Sequence, residues 1–328
     1  MYRSDRFSRI EHPDRGPIII TIAALSILAT AFACVARSDK KVDTVSSTPA
    51  VAPKSAVAGE VADSQQGTPQ IVTFADAQTA YNKRHYREAT ESFDNYVQRH
   101  SGNSFGLYML GLSAWKSGDL DRARDAFERS LAIDSTNVKT LLNLGRVLLD
   151  QGKPNDALDR VNTAIALDSG SADAHRMLAR VHVALGEREP AEEEYRVALS
   201  IDPGDSWSMN NLGLLLIDQG RYEEALPPLA RAVELRPDAP AFANNLGVAL
   251  ERTGHPGAAA NAYRGALAAD STYAKAQRSL ARVTGVTDDS EIDVSVLASS
   301  FNEELQKARE ARVVAKGVVK PDSVKTPQ

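Results

Sequence analysis

The sequence predicts an all-α chain whose central part, about two-thirds of its 328 residues, is a solenoid of helical hairpins. Three observations carry that prediction. From Gln70 to Tyr273 residue types recur at an interval of 34 without an insertion. Within each interval apolar residues fall at i, i+3, i+4 and i+7, as in Leu141 to Gly152 (LLNLGRVLLDQG), which is the period of an amphipathic helix. Between the halves of five intervals stands a glycine: Gly118, Gly152, Gly186, Gly220 and Gly254. Glycine accepts the left-handed backbone that ends a helix at little cost.

Composition narrows the function classes. With 43% apolar and 25% charged residues the chain is not wholly disordered, and a net charge of −5 offers no broad attraction to nucleic acid phosphates. One cysteine, Cys34, excludes an intramolecular disulfide framework and a CxxC zinc site.

Residues 1–16 form a short basic tail carrying Arg3, Arg6, Arg9 and Arg15. Residues 17–36, Pro17 to Ala36, are free of charge and long enough to cross a hydrocarbon core of ~30 Å as a helix. Three fates fit this stretch: an uncleaved anchor, a cleaved signal, or a lipoprotein signal. Ala31-Phe32-Ala33 fits a small-x-small cleavage site, with Cys34 directly after it. This resembles the lipobox of bacterial lipoproteins, in which the cysteine is lipidated, although Ala31 stands where that family usually has leucine. Basic residues flank both ends, so the positive-inside rule gives little orientation. The signal-like features favour repeats outside the cytoplasm, in a bacterial periplasm or at the cell surface. Residues 37–69 are rich in Ser, Thr, Ala, Val, Pro and Gly and read as a disordered linker. As a flexible coil it would span roughly 30 Å, and fully extended on the order of 110 Å.

The repeats follow as 70–103, 104–137, 138–171, 172–205, 206–239 and 240–273. A small residue recurs at Ala77, Gly111, Gly145, Ala179, Gly213, Gly247 and Ala281. Ala89, Ala123, Ala157, Ala191, Ala225 and Ala259 follow the first six. Four places further come Phe93, Phe127, Val161, Tyr195, Leu229 and Tyr263. Small residues at a helix crossing let the axes approach while the bulky residue fills the space beside them.

This pattern resembles the tetratricopeptide repeat family, whose spaced signature appears in the fifth unit as Leu212-Gly213, Gly220, Tyr222, Ala225, Ala232 and Pro237. The first unit departs from it with Arg84 in the glycine place, and Pro154 and Pro256 replace an aromatic. The resemblance implies a right-handed solenoid with the first helix of each unit on the concave side. A helix in 274–284 would solvate the end of the array. In 285–328, Ile292, Val296, Leu297, Phe301 and Leu305 share one helical side; we expect a capping helix packed on the last unit, or a docking element, followed by a disordered tail.

Concave positions implied by the resemblance supply the candidate peptide-binding groove. Asn143, Asn210, Asn211, Asn244 and Asn245 form an interrupted ladder, with Met177 in the matching place of the fourth unit. A primary amide both donates and accepts, so such a ladder suits the backbone of an extended peptide; a purely structural role for the Asn-Leu-Gly triplet fits equally. Arg146, Arg176, Arg180 and Trp207 lie on the same surface and suit acidic or aromatic segments. Asp150, Asp173, Asp218 and Glu251 stand where they would neutralise those cations. The family's chaperone-binding carboxylate clamp needs Lys/Asn/Asn/Lys/Arg across three units, and no three units here provide it.

His175 and His182 are seven residues apart on one helix, about 10.5 Å along its axis, too far to share one ion. They read as packing residues. No HExxH, GxSxG or phosphate-cradling glycine loop occurs. The expected function is therefore a non-enzymatic, membrane-tethered scaffold that takes a peptide or helix of another protein in its groove, without metal, cofactor, small-molecule substrate or nucleic acid. Two alternatives remain: a structural assembly factor of an envelope complex that uses its convex face or capping helix, and an accessory subunit of an envelope enzyme.

Overall fold

The computed structural model describes residues 72–286, 292–315 and 317. The basic tail 1–16, Pro17 to Ala36 with Cys34, the whole of the linker 37–69 and the last residues lie outside them. Among the described residues there are fourteen helices and no strand. None of these helices is long and apolar enough to cross a membrane.

Paired helices keep step with the 34-residue count. They are α1 (Phe74–Asn82) with α2 (Tyr86–Arg99), α3 (Ser104–Ser117) with α4 (Leu120–Ile133), and α5 (Val138–Asp150) with α6 (Pro154–Leu167). Then follow α7 (Ala172–Leu185) with α8 (Arg188–Ile201), α9 (Ser206–Asp218) with α10 (Tyr222–Leu235), and α11 (Pro240–Arg252) with α12 (Pro256–Ala269). The single helix α13 (Ala274–Val283) packs on α12 and α11 as the last rung. Side-chain caps start several first helices: Asn103, Asn137, Ser171 and Asp205 each accept from a backbone N–H of the following turn.

Two repeat positions set the hairpin geometry. At the turn, Gly118, Gly152, Gly186, Gly220 and Gly254 all have positive φ, and Arg84 holds the same left-handed conformation at φ 61 despite its side chain. At the crossing, a methyl added to Gly213 would lie 2.4 Å from Leu229 Cγ, and one added to Gly247 would lie 2.5 Å from the Tyr263 ring. The bulky partner of each unit thus occupies the space a side chain would need. Phe93, Phe127, Leu229 and Tyr263 are fully buried there, each contributing roughly 1.5–3 kcal/mol of transfer free energy.

Curvature follows from which helices meet. First helices of successive units approach one another directly, α3 to α5, α5 to α7, α9 to α11 and α11 to α13, while second helices do not do so to a comparable extent. The first helices therefore line the inner, concave side. Between α7 and α9, as between α1 and α3, that direct approach is weaker. The apolar core divides in the same unit, with Met177 and Val181 in one cluster and Ala179, Ala191 and Tyr195 in the next.

The last helix, α14 (Val294–Ala315), corrects the expectation of a helix packed on the last unit. It runs back over the second helices and lies against α10 and α8. Ala298, Phe301 and Leu305 form its buried stripe, Asn302 accepts a hydrogen bond from Arg231 at 3.3 Å, and Arg312 reaches the Ser169 carbonyl at 3.4 Å. The matching surface belongs to unit five. Leu226 and Ala230 of α10 are buried and apolar where α8 carries Glu192 and Arg196 at the same repeat positions. An apolar stripe on a second helix needs a cover, and α14 supplies it.

Candidate functional site

The candidate site is built on the inner faces of α5, α7 and α9. A recess of about 420 Å³ opens between α5, α7 and α9. Val183, Ala184, Leu149 and Leu214 give it apolar walls, and Tyr195 from α8 closes its floor. Val183 and Leu214 are among the few large apolar side chains left exposed. Arg180, Asn211, Asp150 and Asp218 add polar groups to the lining. Burial pushes the Tyr195 phenol up to about 12, while its hydrogen bond with Asn211 works in the opposite direction. It is therefore neutral at physiological pH.

The asparagines are placed less favourably than the ladder expectation required. Asn210 and Asn244 are buried and are withdrawn from the ligand surface. Asn245 donates to Asn210 Oδ1 at 2.8 Å, and Asn210 donates to Asn211 Oδ1 at 3.3 Å, so the amides of units five and six bond one another. Asn143 donates to the Lys139 carbonyl at 2.9 Å and to the Tyr108 hydroxyl at 3.3 Å, and it accepts from Arg146 at 2.8 Å. These amides join successive rungs. Among the described residues the Asn244 Oδ1 is a buried oxygen without a hydrogen-bond partner.

The arginines divide into two kinds. Arg176 donates to Asp173 and to the buried Asp205, the N-cap of α9, and Asp205 also accepts from the Ser208 hydroxyl at 2.6 Å. That cation ties α7 to the start of α9 and is not free to meet a ligand. Arg282 is likewise held by Glu251 at 2.6 Å. Asp218, expected to offset groove cations, pairs instead with Arg188 at 2.8 Å. Asp150 accepts the Trp115 indole N–H at 2.7 Å. Arg146 and Arg180 form no close ion pair with a carboxylate among the described residues, although the charges of Asp173 and Asp150 favour the Arg146 cation. Arg146 lies over the Trp115 ring, 5.1 Å from its centroid; Arg180 has only the Met177 sulfur at 3.9 Å. Burial, and then the charges of Arg180 and Arg176, hold the Arg146 guanidinium below its ordinary value. It is still a cation.

Trp207 is half exposed at the start of α9, stands edge-on to Phe242 at 5.0 Å, and has the Arg236 guanidinium 5.9 Å from its centroid. It remains an accessible apolar anchor. His175 and His182 have separate partners, Glu194 and Glu187, each at 2.6 Å.

Profiles described as tetratricopeptide repeat match residues 74–138, 142–206 and 210–283, and 114–166. The chain belongs to the tetratricopeptide repeat family. No curated protein matches the sequence. Among solved structures, PilW, a widely conserved type IV pilus biogenesis factor, is 16% identical over 62% of this chain and 94% of its own, with a TM-score of 0.56. The anaphase-promoting-complex assembly Cut9–Hcn1 is 16% identical over 72% of this chain and 45% of its own, at 0.55. MamA is 26% identical over 52% of this chain and 94% of its own, at 0.42. The likenesses to PilW and to Cut9–Hcn1 concern the fold alone.

Val183, Leu214 and Tyr195 were not among the groove residues read from the sequence. A signal for one of them existed. Arg146, Arg180 and Leu214 occupy the same repeat position in consecutive units, so an exposed leucine stands in register with two arginines. The recess as a whole left no such trace.

Proposed function

We propose that this tetratricopeptide repeat protein is a non-enzymatic interaction scaffold, tethered to a membrane by Pro17 to Ala36, which binds a segment of another protein in its concave groove. The contrast between its two faces carries this reading. The convex side of units four and five is occupied by α14, whereas the concave side keeps Val183, Leu214 and Trp207 exposed, with Arg180, which forms no ion pair among the described residues, beside Val183 and Leu214. Apolar surface left open next to convergent polar groups is the usual composition of a binding site. The reading includes repeats held outside the cytoplasm at the end of the linker, with or without a lipid on Cys34.

The test is photo-crosslinking in the native envelope from a probe at position 214, compared with one at Val296, an exposed apolar residue of α14. Adducts with a partner from position 214, removed by Trp207→Ala, are the expected result. Adducts from position 296 alone would move the interface to the convex side. Intact mass of the native protein decides between an acylated Cys34 at a new N-terminus and an unprocessed chain.

A further inference from the structure

Aromatic side chains on the first helices are concentrated in units one and two. One repeat position holds Phe74 and Tyr108 and no aromatic in any later unit; another holds Tyr81 and Trp115, and again none later. Three rings form a ladder across α1 and α3. Phe74 and Phe105 are 5.7 Å apart, and Phe105 lies nearly parallel to Tyr108 at 6.0 Å. Both ends are fixed: Phe74 rests edge-on against Phe93 and Tyr96 at 5.4 Å, and Asn143 donates to the Tyr108 hydroxyl at 3.3 Å. The middle ring is open. Phe105 is 54% exposed and borders an open recess of about 510 Å³ along the chain from His100 to Ser104. Trp115 does not extend the ladder, because Lys116 and Arg146 already stand over its ring at 4.3 and 5.1 Å.

The place of this ladder in the chain points to its occupant. Described residues begin at Val72, two before Phe74, so the preceding segment joins the array at the ladder itself. That segment holds one stretch suited to aromatic rings. Pro49 to Ala58, PAVAPKSAVA, has two prolines and a single charge at Lys54, whereas 37–47 and 59–66 carry every other charge of the linker. We propose that Phe74, Phe105 and Tyr108 form the docking surface for this chain's own Pro49 to Pro53, laid across the three rings in the polyproline II conformation. The inference concerns units one and two and does not rest on what the recess between α5, α7 and α9 takes.

Proline suits such rings for two reasons. Its side chain is a compact apolar ring, and polyproline II is preformed, so little order has to be gained on docking. At a rise of 3.1 Å per residue, five residues from Pro49 to Pro53 extend about 12 Å, the reach of three rings spaced as these are. Tethering makes a weak contact sufficient. Pro53 is nineteen residues from Val72, and a coil of that length spans roughly 20–25 Å and holds its end at an effective concentration of about 1 mM. A contact with an intrinsic affinity of only about 0.1 mM is then occupied about nine-tenths of the time. A proline-containing segment of another protein has to displace it, and its apparent affinity for the ladder falls about tenfold.

The test uses the full-length chain in detergent, with benzoylphenylalanine in place of Phe105, irradiated at several dilutions and mapped by mass spectrometry. Crosslinks to residues 48–58 of the same chain, in a yield independent of protein concentration, are the expected result. In parallel a fluorescent peptide copying residues 46–58 is titrated onto the chain without the photoprobe. It should bind the variant carrying Pro49→Ser and Pro53→Ser about tenfold more tightly than the parent, because the internal competitor is weakened. Adding Phe105→Ser to that variant should abolish the binding; the side chain is exposed, so its loss leaves the core packed. A crosslink yield that rises with protein concentration assigns the surface to a second copy, and adducts confined to a co-purified protein assign it to a partner; either overturns the proposal. Equal affinity of the peptide for the parent and the double proline variant overturns it as well.

Discussion

The concave and convex faces of units four and five are made from the same two hairpins, yet the chain treats them in opposite ways. On the convex side, an apolar stripe on α10 is covered by α14 through Ala298, Phe301 and Leu305. On the concave side Val183 and Leu214 stay in solvent, and Arg180 forms no ion pair with a carboxylate among the described residues. Apolar area left in water forgoes about 25 cal/mol for each Å² that burial would have returned. The molecule therefore has the means to satisfy a face and uses them on one face only. The unsatisfied one is where a partner gains most by binding.

Removing the cover is the severest test of that contrast. Phe301 is buried between α14 and the array, and Phe301→Ala should cost up to about 3 kcal/mol, the lower end for buried phenylalanine because α14 can detach before the repeats unfold. Hydrogen exchange should then rise over α14 and the exposed side of α10, with protection in α9 unchanged. Simultaneous loss of protection in the groove helices would mean that the faces are one cooperative unit and that the comparison between them has no energetic meaning.

Next in size is the hairpin crossing that holds both faces together. Gly213→Ala puts a methyl 2.4 Å from Leu229 Cγ, whereas Gly145→Ala meets only Val161 Cγ2 at 3.0 Å. Overpacking typically costs 1–3 kcal/mol, and an alanine in a helix returns roughly 1. The first substitution should lower the unfolding midpoint. The second should leave it near that of the parent, and equal losses would show that the bulky residue of each unit does not set the approach.

Much of this organisation was legible in the sequence, and the reasons are physical. Hairpin order, the turn glycines and the buried crossing residues repeat at a fixed interval, and each repeat satisfies its neighbours locally, so the period alone specifies them. The path of α14 did not follow from its own helical pattern, which is compatible with any apolar stripe. Its partner was visible instead in α10, where Leu226 and Ala230 replace the charged Glu192 and Arg196 of α8. The groove was legible as a surface and misread in detail. Asparagines that looked available bond one another, and Arg176 turns to a buried aspartate. Hydrogen-bond partners across units depend on rotamers and on the spacing of rungs, neither of which composition records.

Arg84 gives a smaller effect at the edge of the array. It holds the left-handed turn conformation that glycine holds in the five later units, at a cost of roughly 1–2 kcal/mol for a residue with a Cβ. Arg84→Gly should recover about 1 kcal/mol after the greater flexibility of glycine in the unfolded chain is deducted. A stabilised first hairpin with unaltered groove binding is expected from equilibrium denaturation and peptide titration. A loss of stability would indicate that the arginine side chain supports the first unit in some other way.

The smallest predicted effect is a pH dependence, and it sharpens the comparison from the electrostatic side. Glu192 of α8 accepts from Arg196 and, across the unit boundary, from Arg221 at 3.2 Å. Burial opposes ionisation of its carboxyl, but the two arginines prevail and hold it below its ordinary 4.5. A group depressed in the folded state stabilises it fully above the unfolded value and loses that contribution as pH falls through the folded one. Unfolding midpoints followed downward through the carboxylate range should therefore fall more steeply in the parent than in Glu192→Gln, with the difference confined to acid pH.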